Sequence, residues 1–324
     1  MRTPELLSDP AFHDEEAARA YLEQVRWPDG PFCPFCGAFD TVKPLGGGSM
    51  GPGWYYCSAC QDKFTVRVGS IFERSHIRLH KWLLAFRLMA SSKKGVSAHQ
   101  IHRTLGITYK SAWFLMHRIR EAMADNDPTP LGGEGKTIEV DETFYGWKGG
   151  SPKWILHPEF GWQRSMSTAD RMNIVTLVER GGSARSVKVE DLTAKTLREV
   201  VAKNADAKSA LMTDERISYR AIGRRFARDE TVNHGEEEWA RGDAHVNTAE
   251  GFFSIFKRGM VGVYQHCGEQ HLHRYLAEFD FRYSNRLKLG VDDTERTRRA
   301  IRGAGGKRLT YRRTRSQEAE TRTA

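Results

Sequence analysis

Hydrophobic and polar positions change period several times along the chain. Over residues 12–27, Ala18, Tyr21, Leu22 and Val25 recur at three- and four-residue spacing, which predicts a helix. The turn-rich stretch "PDGPFCPFCGAFD" and the glycine loop "GGGSMGPG" follow. "WYYCSACQDKFTVRVGSIF" then predicts short strands with a turn at its cysteines. From His80 to about Ala124 the period is helical, and residues 126–136 carry the Pro, Gly and charges of a linker.

Past the linker the period shortens. In "KTIEVDETFYG", Ile138 and Val140 alternate with Glu139 and Asp141, as in a half-buried strand. "RMNIVTLVER" and "ARSVKVEDL" predict two more strands joined at "GGS", a hairpin signal. "TAKTLREVVAKNA" predicts a helix capped by Thr193, and "SALMTDERISY" a strand ending near Asp214. Helices are expected after that, among them "GEQHLHRYLAEFDFRYSNR". The expected division is residues 1–74 for a helix and a cysteine-bearing module, 75–125 for a helical segment, 126–136 for the linker, 137–290 for an α/β domain and 291–324 for a basic, disordered tail.

Charge adds one feature. Ten Lys/Arg and two Asp/Glu between Arg296 and Ala324 hold a net +8 of the chain's +9. Such a tail is either a solvated end or a phosphate-binding arm. No run of about 18 apolar residues is present, so no membrane span is expected. The N-terminus carries acids where a signal peptide has an apolar block, so the expected location is the cytoplasm.

Four of the five cysteines, Cys33, Cys36, Cys57 and Cys60, form two CxxC pairs separated by 20 residues. Zinc prefers four soft ligands in a tetrahedron, and each CxxC turn supplies two. One structural Zn²⁺ is the expectation, since four thiolates leave no open position for chemistry. Cys267 stands alone and is read as a buried core thiol. "GVSAHQIHRTLGITYKSAWFLMHRIREAM" has a helix-turn-helix layout, with Gly106 at the turn and Thr108 capping the second helix. On that helix Tyr109, Lys110, Trp113, His117 and Arg118 are expected to face a DNA groove, and Ala112, Leu115, Met116 and Ile119 the core. An ordinary helical hairpin is the other reading.

Asp141 and Asp214 each interrupt an apolar strand, where Asp is depleted. Glu250 opens a helix further on, in "HVNTAEGFFSIFKRG". Three acids so placed suit two hard cations, Mg²⁺ or Mn²⁺, of the kind that assist phosphoryl displacement. Asn247 and Glu250 also match a capping box, in which the amide and the carboxylate satisfy backbone N–H groups instead. Lys257, seven positions after Glu250, shares its helix face. Glu142 points to the other face of its strand from Asp141 and is not expected to bind.

Together the cysteine module, the helix-turn-helix, "IEVDETFYGWKGG", "LMTDERISYRAI" and "HVNTAEGFFSIFKRGMVGVYQH" resemble insertion-sequence transposases of the ISXO-like type, prokaryotic relatives of the Merlin elements. The resemblance spans roughly residues 11–286. It implies an α/β catalytic core of the RNase H-like kind, a mixed sheet flanked by helices, preceded by a zinc ribbon and a helix-turn-helix. It implies DDE chemistry on DNA with two catalytic cations. Asp141 and Asp214 are then the first two ligands and Glu250 the third, with Asn247 the alternative. Lys257, Lys148 and the tail are expected on phosphates. The implied partners are element-end and target DNA and further copies of the chain. The alternatives are a domesticated, inactive DNA-binding regulator and an RNase H-like nuclease without strand transfer.

Overall fold

A computed structural model describes residues 8–46, 50–165, 167–214, 219–232 and 240–310. Part of the "GGGSMGPG" loop, part of "DERISY" and the last fourteen tail residues therefore lie outside the described residues. The chain divides into two compact units, one of residues 1–88, 98–123 and 297–324, the other of 89–97 and 124–296.

In the first unit, α1 (Glu15–Arg26) starts where the Asp14 carboxylate accepts from the Ala17 amide. Its C-cap Trp27 packs edge-on against Tyr55 and Phe64 of a three-stranded antiparallel sheet, β1 (Val42–Pro44), β2 (Trp54–Cys57) and β3 (Lys63–Thr65). Three helices follow: α2 (Leu79–Ser91), α3 (Ala98–Leu105) and α4 (Tyr109–Met123). Gly106 takes φ +58° in the α3–α4 turn, a conformation that costs glycine little. Thr108 Oγ1 accepts from the Ser111 amide and so caps α4.

The second unit is built on five strands: β4 (Thr137–Tyr145), β7 (Met172–Glu179), β8 (Ala184–Val189), β9 (Ala210–Asp214) and β10 (Arg228–Val232). Between β4 and β7 the chain inserts a separate hairpin, β5 (Trp154–His157) with β6 (Gly161–Arg164). The sheet order is β10-β9-β4-β7-β8. β9 lies parallel to β4 and to β10, while β7 is antiparallel to both its neighbours. Counted along the core this is 3-2-1-4-5 with the second strand reversed, the RNase H-like arrangement. β7 is buried on both faces because helices cover both sides. α5 (Ala194–Asn204) packs Leu197 and Val201 against Ile138, Val140 and Leu177. On the other face α7 (Asn247–Gly259) and α8 (Leu272–Ser284) bring Phe252, Phe256, Leu276 and Phe279 against Met172, Ile174 and Val178. The short α6 (Arg220–Gly223) lies between β9 and β10.

Three expectations change. The supposed linker is anchored in the core at one point: Leu131 is buried, donates to the Asn204 carbonyl and accepts from the Asp206 amide. β10 was hidden by its charges, "RDETV", which suit the sheet edge it occupies. The tail is not disordered from its start, for α9 (Asp293–Arg302) buries Ala300 and Ile301, and Arg296 donates to the Ala90 carbonyl. No helix among the described residues is long and apolar enough to cross a membrane.

Gly259 ends α7 against the 89–97 segment. A Cβ there would sit 2.4 Å from the Lys94 carbonyl and 2.5 Å from Phe279. Gly259→Ala should therefore destabilise the protein by about 1–3 kcal/mol, the usual cost of overpacking, read as a lower midpoint in thermal denaturation. An unchanged midpoint would contradict this packing.

Candidate active site

The parallel register of β4 and β9 explains how two distant aspartates meet. Thr137, Ile138 and Glu139 pair with Ala210, Leu211 and Met212. Carried two positions further, the same register sets Asp141 level with Asp214. The pairing stops at Glu139, so Asp141, midway along β4, and Asp214, at the end of β9, stand at an opening where these two strands part, between the strands where the chain order reverses. Ligands of open α/β sheets bind at such a point. Ligand oxygens of Asp141, Glu142 and Asp214 all lie within 4.8 Å of one another.

Like charges placed opposite one another cost stability, and the Asp141 carboxyl registers this. Burial, then the nearby charges of Asp214, Glu142 and Glu250, push it up to about 7 against the pull of a backbone hydrogen bond from Glu142. That amide donates to Asp141 Oδ1 at 2.7 Å. Glu142 keeps to the Val140 face of β4, where Tyr219 packs, as strand alternation requires, although one of its oxygens still comes near the pair. Beyond Glu139, β4 loses its β9 partner but stays paired with β7 as far as Tyr145. Tyr219, buried behind the acids, was not singled out from the sequence. Its phenol is held well above 10 by burial and by Glu142, Asp214 and Asp141.

α7 lies over this opening. Asn247 is its first residue and Glu250 lies in its first turn, both exposed. The capping box does not form: no side chain caps the helix from its own N-terminus. The cap comes from β4 instead. Glu139 accepts from the Thr248 and Ala249 amides at 2.7 and 3.0 Å and from the Thr248 hydroxyl at 2.8 Å. The side chains of Asn247 and Glu250 are left to face outward from the first turn. Lys257 and Arg258 are exposed near the end of the same helix.

The four cysteines come together as expected. Cys33 and Cys60 sulfurs lie 3.5 Å apart, and those of Cys36 and Cys57 3.7 Å apart. Bonds of about 2.3 Å in a Zn–S₄ tetrahedron put sulfurs about 3.8 Å apart, so this donor set fits zinc. The Thr41 hydroxyl and the Cys60 and Ala59 amides favour the Cys57 thiolate, while burial and the neighbouring sulfurs push the Cys60 and Cys36 thiols up, so without a metal the cluster shares its protons.

The helical pair is a partial correction. Tyr109 and Lys110 are exposed, with Tyr109 stacked on His99, and Trp113 is half-buried against His117. Arg118 and His117 do not face out. Arg118 is 8% exposed, and its guanidinium donates to the carbonyls of Ile71, Glu73 and Leu309. The expectation that Arg118 faces a groove fails because its guanidinium turns inward to serve these carbonyls. Lys148 is half-buried, its ammonium on the Glu190 carbonyl.

Family models match in two places. Residues 130–284 match an ISXO2-like transposase domain, and residues 13–63 match a transposase zinc-ribbon domain. The chain belongs to the ISXO2-like transposase family. A protein in transposable element ISH50 of Halobacterium salinarum is 27% identical over 281 residues, 84% of this chain and 91% of that one. Among solved structures, the Mos1 strand transfer complex matches at 10% identity and a TM-score of 0.25, covering 70% of this chain and 79% of the other. The mariner Mos1 paired end complex with Mg matches at 12% and 0.25, covering 94% and 95%. The matched transposase domain is that of a DNA-cleaving enzyme, and it implies a divalent metal. Among the described residues, the carboxylates at the β4–β9 opening are a donor group that fits one, being hard oxygen ligands.

Two outcomes follow from this chemistry. Cys57→Ser should release the zinc, measured as metal per chain, and zinc retained at full occupancy would contradict the cluster. For Asp141, the folded value of about 7 lies above the usual 3.8. Its contribution to the metal-free fold is therefore present at low pH, in the protonated form, and is lost as pH rises through 7. A cation must displace that proton. Mn²⁺ affinity by calorimetry should rise by up to about tenfold per pH unit below 7 and level off above it. A flat profile from pH 5.5 to 8 would contradict the assignment.

Proposed function

We propose that this transposase cuts DNA at the ends of its element and joins the resulting 3′-OH groups to target DNA. Asp141, Asp214 and Glu250 would hold two Mg²⁺ or Mn²⁺ ions. The observation that carries this reading is the β4–β9 register, which sets Asp141 level with Asp214 at an opening covered by the first turn of α7. When bound, a pair of such cations supplies activation of an attacking oxygen and stabilisation of a leaving 3′ oxygen.

The chain's own residues do the rest. Asp141 and Asp214 present oxygens from rigid strands, and Glu250 approaches from the helix, close enough for its charge to raise the Asp141 carboxyl. Asn247, one helical turn earlier, is the alternative third ligand; a carboxylate is the harder and charged donor. Lys257 and Arg258 are exposed along α7, where phosphates would meet them. Lys148 is a weaker candidate, because its ammonium already serves the Glu190 carbonyl. The zinc ribbon and the exposed Tyr109 and Lys110 of α4 would engage the terminal inverted repeats, with Trp113 partly accessible beside them. Joining two ends requires more than one copy of the chain on DNA.

The test is a cleavage and strand-transfer assay on end-containing DNA with Mg²⁺ or Mn²⁺, after checking folding and DNA binding. Asp141→Ala and Glu250→Gln should abolish products, while Asn247→Ala and Glu142→Gln should retain them. If Asn247→Ala or Glu142→Gln is the inactive variant instead, the third ligand is that residue and not Glu250. Metal-dependent cutting by the wild type that persists in Asp141→Ala would overturn the whole reading.

A further inference from the structure

We propose that Glu139 is a positioning residue: its buried carboxylate fixes the first turn of α7, and hence Glu250 and Asn247, relative to Asp141 and Asp214. This rests on the reading of the β4–β9 opening as a cation site.

Glu139 is fully buried, two positions before Asp141 on the same strand. Residues two apart share a strand face, so both side chains point toward α7. A carboxylate at that depth is costly unless charge and hydrogen bonds compensate it. Glu139 has both. Oε1 meets Arg180 Nε at 2.5 Å, the Thr248 hydroxyl at 2.8 Å and His245 Nδ1 at 3.2 Å. Oε2 takes the Thr248 and Ala249 amides at 2.7 and 3.0 Å.

Four donors, Arg180 Nε, the Thr248 hydroxyl and the Thr248 and Ala249 amides, match a group with about four acceptor sites, which leaves no oxygen for a metal. Glu139 is therefore not a ligand, although its place on the strand invites that reading. The two amides it takes are among the four that an α-helix leaves without partners at its start, and its charge suits the positive end of the helix dipole. Arg180 extends the clamp backward. Its other nitrogens donate to the Asp243 and His245 carbonyls at 2.7 and 2.8 Å, and Nη2 lies 3.0 Å from His245 Nδ1. The segment entering α7 is thus tied to the sheet at 243, 245, 248 and 249, immediately before Glu250. His245 of the "HVNTAE" stretch belongs to this clamp rather than to the cation site.

The consequence is a pre-set distance between strand acids and helix acid. The test uses the full chain loaded with zinc, in Glu139→Gln, Thr248→Ala and Thr248→Ser. Mn²⁺ binding is measured by calorimetry, with zinc content and thermal melting as folding controls. kcat and KM are measured for cleavage of end-containing DNA. Glu139→Gln should keep its zinc, bind Mn²⁺ more weakly and lose about 100-fold in kcat, the scale of a small misplacement of catalytic groups, with KM for DNA nearly unchanged. Thr248→Ala should lose about tenfold, as for one hydrogen bond to a charged group, and Thr248→Ser should recover it. If Glu139→Gln fails to fold, the Thr248 pair decides. The proposal is overturned if folded variants bind Mn²⁺ and cut as the wild type does, or if only melting changes. A wild type that binds Mn²⁺ but never cuts would sink the transposition reading, and the Mn²⁺ titrations would still decide the role of Glu139.

Discussion

A single buried carboxylate joins the sheet to the helix that covers it. Glu139 sits where β4 last pairs with β9, and it takes the first amides of α7. Without it, the first N–H groups of α7 would lie unpaired against the interior strands that carry the acids. With it, the attraction between an anion and the helix dipole offsets the repulsion that the acids beyond it create. The apolar side of α7 then settles onto β7 and α8 through Phe252 and Phe256. Local electrostatics and core packing select the same pose.

The acids themselves work against the fold. Asp141 and Asp214 are level on neighbouring parallel strands, where β-branched residues would stabilise the sheet better. The sheet accommodates them by ending its β4–β9 pairing early, and the Asp141 carboxyl responds by holding its proton to about 7. Under the proposed two-cation reading, such a group would give up its proton to a divalent cation near neutral pH. The strain and the chemistry have one origin, and a nuclease-type core gains selectivity for a doubly charged ligand from it. The zinc ribbon is a contrasting case. Its thiols stand at zinc-like separations and leave no vacant position, so a zinc held there would serve structure.

Much of this was legible in the sequence because it lies in short periods and spacings. Two CxxC pairs, the β7–β8 hairpin at "GGS", the Thr193 cap and the aspartates breaking apolar strands all depend on a few neighbouring residues. What was not legible depends on distant partners. The cap of α7 comes from a residue 109 positions away, so the local Asn-x-x-Glu pattern pointed to the wrong partner. Arg118 turned inward for carbonyls of a loop over 40 residues earlier. β10 and α9 were masked by their charges, which read as loop or tail until an edge position and the burial of Ala300 and Ile301 explain them.

Anomalous diffraction from crystals grown with Mn²⁺ measures the arrangement most directly. A manganese peak between Asp141 and Asp214, with a side chain of the first α7 turn on it and Glu139 still bonded to the Thr248 and Ala249 amides, is the expected result. Manganese held by Glu139, or bound away from the β4–β9 opening, would contradict it.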